Sequence, residues 1–250
     1  SYVTGAHSLK FGYIGNKLGD IRSANRGAND LRYRVNNGVP NQLTMYIHEY
    51  QNDLWMRNDA FFAQEQWTLG RLTVSGALRF DHAWSWAPPQ RLDSRFLRQP
   101  LVFDETPVVD SYKDITPRVA VAYDLFGTGR TAVKGTLGKY LESTITASNY
   151  GLGIPTSRIA QNVSRTWADG NGNWNPDCDL LNPAAQDFRG SGGDFCGVYS
   201  NVNFGTATFS NTIDPEILHG WGVRPSDWNW GVSIEHEVLP RVSVEAGFFH

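Results

Sequence analysis

Alternation with a period of two, broken by connections that are by turns short and long, constrains this chain more than any motif in it. In RLTVSGALRFDHAW, Leu72, Val74, Gly76, Leu78 and Phe80 fall on one face, while Arg71, Thr73, Ser75, Ala77, Arg79 and Asp81 fall on the other. Successive strand side chains point to opposite sides, so this is a strand with one apolar and one polar face. The stripe returns in DITPRVAVAYDLF, RTAVKGTLGKYL, DWNWGVSIEHEV and RVSVEAGFF, and more weakly in HSLKFGYIG and FFAQEQWTL. Composition agrees: 13% aromatic residues, nine Trp and 25 Gly against 19% charged residues favour strands and turns over helices.

Three connections are tight: LGR at Leu69 to Arg71, FGTGR at Phe126 to Arg130 and LPR at Leu239 to Arg241. They carry hairpin chemistry or a Pro that stops pairing. Three others are long, spanning about 16–41, 87–113 and 142–227, and the last is read as lacking strands of its own. Short turns on one side of a sheet and long loops on the other mark an outer-membrane β-barrel, with periplasmic turns and extracellular loops. The expected fold is therefore all-β, a partial antiparallel transmembrane barrel of about seven strands. Parity then requires Gln42 to Leu69 to act as one long or bent descending strand, with NDLWMRND as a kink. Trp67 lies beside a short turn, and Trp84, Trp86, Trp228 and Trp230 lie at the opposite ends of their strands, where rings suit the two headgroup interfaces. A soluble secreted β-rich binding module uses the same alternation and is the competing reading.

Several classes are disfavoured. With 22 basic and 25 acidic residues no polyanion-binding footprint exists, so nucleic acid is a poor partner. No run approaches the length of a membrane-spanning helix. Ser1 opens without a signal peptide and His250 arrives inside an alternating run, which favours a fragment. The histidines His7, His48, His82, His219, His236 and His250 are scattered, without an HExxH or GxSxG pattern, so no enzyme is expected. His236 sits between Glu235 and Glu237, but strand neighbours diverge, which argues against a ligand set.

FFAQEQWTLGRLTVSGALRFDHAW resembles the segment of TonB-dependent outer-membrane receptors in which an aromatic-x-Q-[DE]-x-W strand turns into an R-L-T-[LV]-x-x-G-x-R-[YF]-[DE] strand. ITPRVAVAYDLFGTGRTAVKGTLGKY is similar to that family's next hairpin, WGVSIEHEVLPRVSVEAGFF to a later one and GAHSLKFGY to an earlier strand. These matches cover about half the chain, and their order and spacing carry the likeness. The nearest likeness is to the large Oar-like receptors, whose N-terminal carboxypeptidase-regulatory-like domain precedes plug and barrel. The resemblance implies a barrel of roughly 22 strands with a plugged lumen, importing a scarce small nutrient with energy relayed by TonB. The expected partners are outer-membrane lipid, the rest of the barrel and plug, TonB through a missing N-terminal part, and a nutrient of unassigned class. Arg79, Asp81, Arg118, Asp124 and Lys134 would then line the lumen. The chain lacks a plug and a TonB box, which is a departure from the whole receptor.

The long loop holds two further features. Cys178 and Cys196 are a pair that one disulfide requires, in an oxidising compartment, with two free thiols as the alternative. In TWADGNGNWNPDCDLLNP, Asp169, Asn171, Asn173, Asp177 and Asp179 supply hard oxygen donors around Gly170 and Gly172. The opening resembles an EF-hand-like calcium loop, so a structural calcium is one reading. Trp174 stands where the sixth-position Gly would be and Leu180 where the twelfth-position Glu would be. A turn-rich loop built on Asx turns and a disulfide is the other reading.

Overall fold

The computed structural model describes residues 1–24, 29–47, 50–208 and 212–250. Eight antiparallel strands form the continuous path of one sheet in which spatial order follows chain order, and two short loop strands, Thr106–Pro107 and His219–Trp221, pair onto it off that path. The eight are β1 (Tyr2–Thr4), β2 (His7–Ala24), β3 (Tyr50–Leu69), β4 (Leu72–Ala87), β5 (Ser111–Asp124), β6 (Thr131–Leu141), β7 (Ser226–Leu239) and β8 (Val242–Phe249). Among the described residues no strand pairs outside β1 or β8, so the sheet is an open wall of a barrel. The path holds one strand more than alternation indicates. Tyr2–Thr4 is too short to display a stripe, and it pairs with β2 through a turn at Gly5, whose φ is +54°.

Registers match the apolar stripes. Leu69 lies opposite Leu72, Phe61 opposite Phe80, Ile115 opposite Phe80 on the other side, and Val133 opposite Ile234. A slip of one residue would turn every such pair to the other face, so the stripe itself specifies the register. The apolar face stays open: Phe11, Phe61, Leu78, Ile115 and Val232 are exposed on it. An exposed apolar sheet of this extent is the surface that lipid covers.

The expectation of one strand from Gln42 to Leu69 is corrected. Val39–Tyr46 is a separate strand, folded back on Leu31–Asn36 around Asn37 and Gly38. Both turn residues have positive φ, 49° and 80°, as a two-residue hairpin demands. NDLWMRND lies inside β3 without a break in its pairing to β2. Parity survives because the extra hairpin belongs to the loop layer, off the wall. The long connections also shift, to 25–49, 88–110 and 142–225, as β2 runs on to Ala24.

These connections fold together as a cap. Val39–Tyr46 pairs with Asn162–Ala168, which pairs with Phe195–Cys196, giving a five-stranded sheet that joins the first and third connections. The third connection thus carries strands of its own, contrary to the expectation, because short runs such as Phe195–Cys196 have no readable period. Its core includes Leu43, Trp167, Cys178 and Cys196. A second cluster fuses cap to wall: Leu54, Met56, Ala83 and Ala87 from β3 and β4 pack with Val109, Tyr112, Tyr150 and Ile154. The upper polar-side positions of the wall are therefore buried by loop residues.

Candidate functional site

The side of the wall opposite the apolar stripe is concave. Ser8, Lys10, Gln64, Arg118, Tyr140 and Asn229 line a groove of about 570 Å³ along its middle. Arg118 lies with its guanidinium 4.4 Å from the centre of the Tyr140 ring. Gly138, its partner across β5 and β6, makes this possible, since a Cβ there would stand 3.2 Å from Arg118 Cγ and 3.1 Å from the Tyr140 ring.

Above the groove sits an ionic knot. Arg79 donates to both oxygens of Asp81, at 2.8 and 2.7 Å, and Asn58 Nδ2 donates to the same carboxylate at 3.2 Å. Arg224 descends from the third connection, donates to Asn58 Oδ1 at 3.4 Å and to Thr144 Oγ1 at 3.1 Å, and also reaches the Glu142 carbonyl. Lys139 Nζ lies 3.5 Å from the buried Asp114. Charges so removed from water persist where opposite charges and polar groups are close, and here the partners come from both wall and loop.

All five residues expected on the lumen side occupy the polar face, with different roles. Arg79 and Asp81 bind each other, Arg118 faces the groove, and Lys134 reaches Glu235 across β6 and β7. Asp124 caps the short turn, accepting from the backbone N–H groups of Gly127 at 3.0 Å and Gly129 at 2.8 Å.

Trp67, Trp84, Trp86, Trp228 and Trp230 all stand on the apolar face, by register. Trp67 lies opposite Val74, ten steps along β4 from Trp84. At about 3.3 Å per step and a tilt near 45° this is about 23 Å of depth, close to the roughly 25 Å apolar band of outer-membrane walls. Sequence reasoning missed Trp55, which lies opposite Trp86, because it was placed in a kink. It also missed Trp221, which comes from the third connection to rest 5.7 Å from Phe80.

Cys178 and Cys196 form a disulfide in the cap. In the acidic stretch beside it, each of the five expected oxygen donors accepts at least one hydrogen bond from the chain itself. Asp169 accepts from the N–H groups of Gly172, Asn173 and Trp174 at 2.8–3.2 Å. Asn171 accepts from Asn173 N, Asn173 from Asn175 N, Asp177 from Asn171 Nδ2 and Asp179 from Leu181 N. Those of Asn171, Asn173 and Asp179 are Asx turns, and among the described residues no group of three or more His, Cys, Asp or Glu is placed to hold a metal. The loop's organising carboxylate is Asp194, which is fully buried and accepts from Trp167 Nε1 at 2.9 Å, Gly170 N at 2.9 Å and Asp177 N at 3.1 Å. Arg165, also buried, donates to the carbonyls of Gly197, Asn182 and Ala184, and burial pulls its guanidinium below its ordinary pKa.

The histidines have separate partners. His7 meets Glu65, His82 meets Ser111, His219 meets the Pro215 carbonyl and His236 meets Thr131. His48 lies outside the described residues.

An open wall with one lipid-facing side, Trp side chains toward both rims and a cap on the long-loop side defines the transmembrane wall of an outer-membrane β-barrel. A family model for an outer membrane beta barrel domain matches residues 1–249, and the chain belongs to that family. It is accordingly a bacterial outer-membrane protein, and the soluble-module reading is set aside. Comparison with curated proteins and with solved structures returned no match.

Proposed function

We propose that this chain supplies wall and extracellular cap to a larger TonB-dependent receptor that takes up a scarce small nutrient across the outer membrane. The observation that carries the reading is a polar concave wall whose long-loop end is occupied by an ordered, disulfide-tied cap. A plain pore needs a polar lumen alone. A receptor also needs a shaped surface that captures ligand before transport, and pinning loops by a disulfide and buried charges reduces the ordering entropy at capture. The resemblance of three hairpins and one earlier strand to TonB-dependent receptors supports the same reading. A plug, the remaining strands and TonB would be partners, lipid the surroundings and Arg118 with Tyr140 part of the passage. The reading assigns no catalysis and requires no cofactor.

Two measurements on the full-length protein test it. The periplasmic domain of TonB should capture the detergent-solubilised protein, and planar bilayers containing it should stay electrically closed. A steady open conductance without TonB capture would make it a porin and overturn the proposal.

A further inference from the structure

The rim of the apolar face toward the long loops carries a charge arrangement that wall construction does not require. Lys17 on β2 and Arg57 on β3 are direct partners in register, so two cations leave the same face with Cβ atoms about 5 Å apart, a pairing unfavourable by itself. Both side chains are exposed. Neither turns away. The Lys17 ammonium lies 4.6 Å from the centre of the Trp55 ring and 5.8 Å from that of Trp86, and the Arg57 guanidinium lies 5.4 Å from that of Trp84. Rings under both heads hold the cations at a fixed place beside the indole layer.

The local charge does not balance. Arg57 donates to Asp59 at 3.1 Å, and Tyr13 donates to the other oxygen of that carboxylate at 2.6 Å. Among the described residues Lys17 has no carboxylate partner. Within the cluster of Lys17, Arg57 and Asp59, two cations meet one anion at the height of Trp84 and Trp86, where the apolar band gives way to headgroups, while Asp53, beyond Trp55 on the same face, has an interaction of its own.

We propose that Lys17 and Arg57, seated on Trp55, Trp84 and Trp86, form a site for the phosphate of an outer-leaflet lipid headgroup. The phosphate oxygens bridge the two cations and relieve their repulsion, and the acyl chains lie along the exposed stripe of Phe11, Phe61 and Ile115. The indoles exclude water from one side of the pair, and a basic residue near a charged lipid surface contributes about a fivefold gain in affinity. This assignment depends on the outer-membrane wall and is independent of what the barrel transports.

The test uses the full-length protein in nanodiscs of phosphatidylcholine with or without phosphatidic acid, and native mass spectrometry of the released protein. Phosphatidic acid should remain bound in preference to phosphatidylcholine. K17Q should retain about fivefold less, and K17Q/R57Q should lose the preference. R91Q, which removes an exposed cap cation, should retain it in full. Folding is checked by the heat-dependent gel shift, and if the double variant fails it, K17Q alone decides, since it leaves Arg57 and Asp59 in place. Equal retention by wild type and K17Q overturns the proposal. Release of the lipid by millimolar inorganic phosphate alone would make this a free-anion site and overturn the lipid assignment.

Discussion

Single residues do their work here through partners that local pattern does not reveal. Asp194 holds three N–H donors from different parts of the cap, so D194A should leave them unpaired and cost on the order of 3 kcal/mol. The expected readout is rapid proteolysis of the cap with the wall still protected. Calcium should produce no saturable change in the fluorescence of Trp174, because the oxygens beside it already accept backbone hydrogens. Tyr150 is buried against Tyr112 and Arg224, and burial pushes its phenol up to about 12. A phenol that ionises near 10 in the unfolded chain and near 12 in the folded one contributes stability that is complete below pH 10 and is lost as pH rises toward 12. Phenolate absorbance should therefore rise together with cap opening in that window. The face of Arg79, Arg118 or Lys134 was legible because parity along a strand is a local rule. The roles of Asp194 and Arg165 were not, since their partners lie many residues away and are brought near only by the cap.

Elements divide along the same line. Wall strands from β2 onward were visible because one face meets lipid and the other does not, and period two follows from that difference. The cap strands Val39–Tyr46 and Asn162–Ala168 pack in a small aqueous domain where burial is set by neighbours from other loops, so their pattern carries little signal. That is why Val39–Tyr46 merged with β3 in the sequence reading. The disulfide closes a span with a sequence separation of 18 inside this domain. C178S or C196S should cost about 3 kcal/mol by the chain-entropy estimate. Hydrogen exchange should quicken across the cap sheet and leave β4 and β5 slow.

For the whole molecule, the two faces of the wall should respond oppositely to the same charge. Leu78 sits on the apolar face, midway between the Trp67 and Trp84 levels, while its neighbour Ala77 points into the groove. L78R should cost about 2–4 kcal/mol in a lipid-vesicle refolding titration of the full-length protein, as a cation near the bilayer midplane does, whereas A77R should cost far less. Equal effects would contradict the assignment of faces. Chain-level alternation of short and long connections foretold this architecture, but not how thoroughly the long ones occupy the mouth.

The clasp at the base of the third connection bears on how such a protein changes over time. Glu142 N donates to the Pro225 carbonyl at 2.8 Å, and Arg224 reaches back to the Glu142 carbonyl, so the first and last residues of that segment meet. Everything between them leaves and returns through one doorway. A segment anchored in this way can vary between its ends: a different insert that keeps Glu142, Arg224, Pro225 and the residues seated on the wall, such as Tyr150 and Ile154, keeps the pairing of Leu141 with Ser226. The outer part of this segment can therefore diverge while the barrel beneath it keeps its pairing.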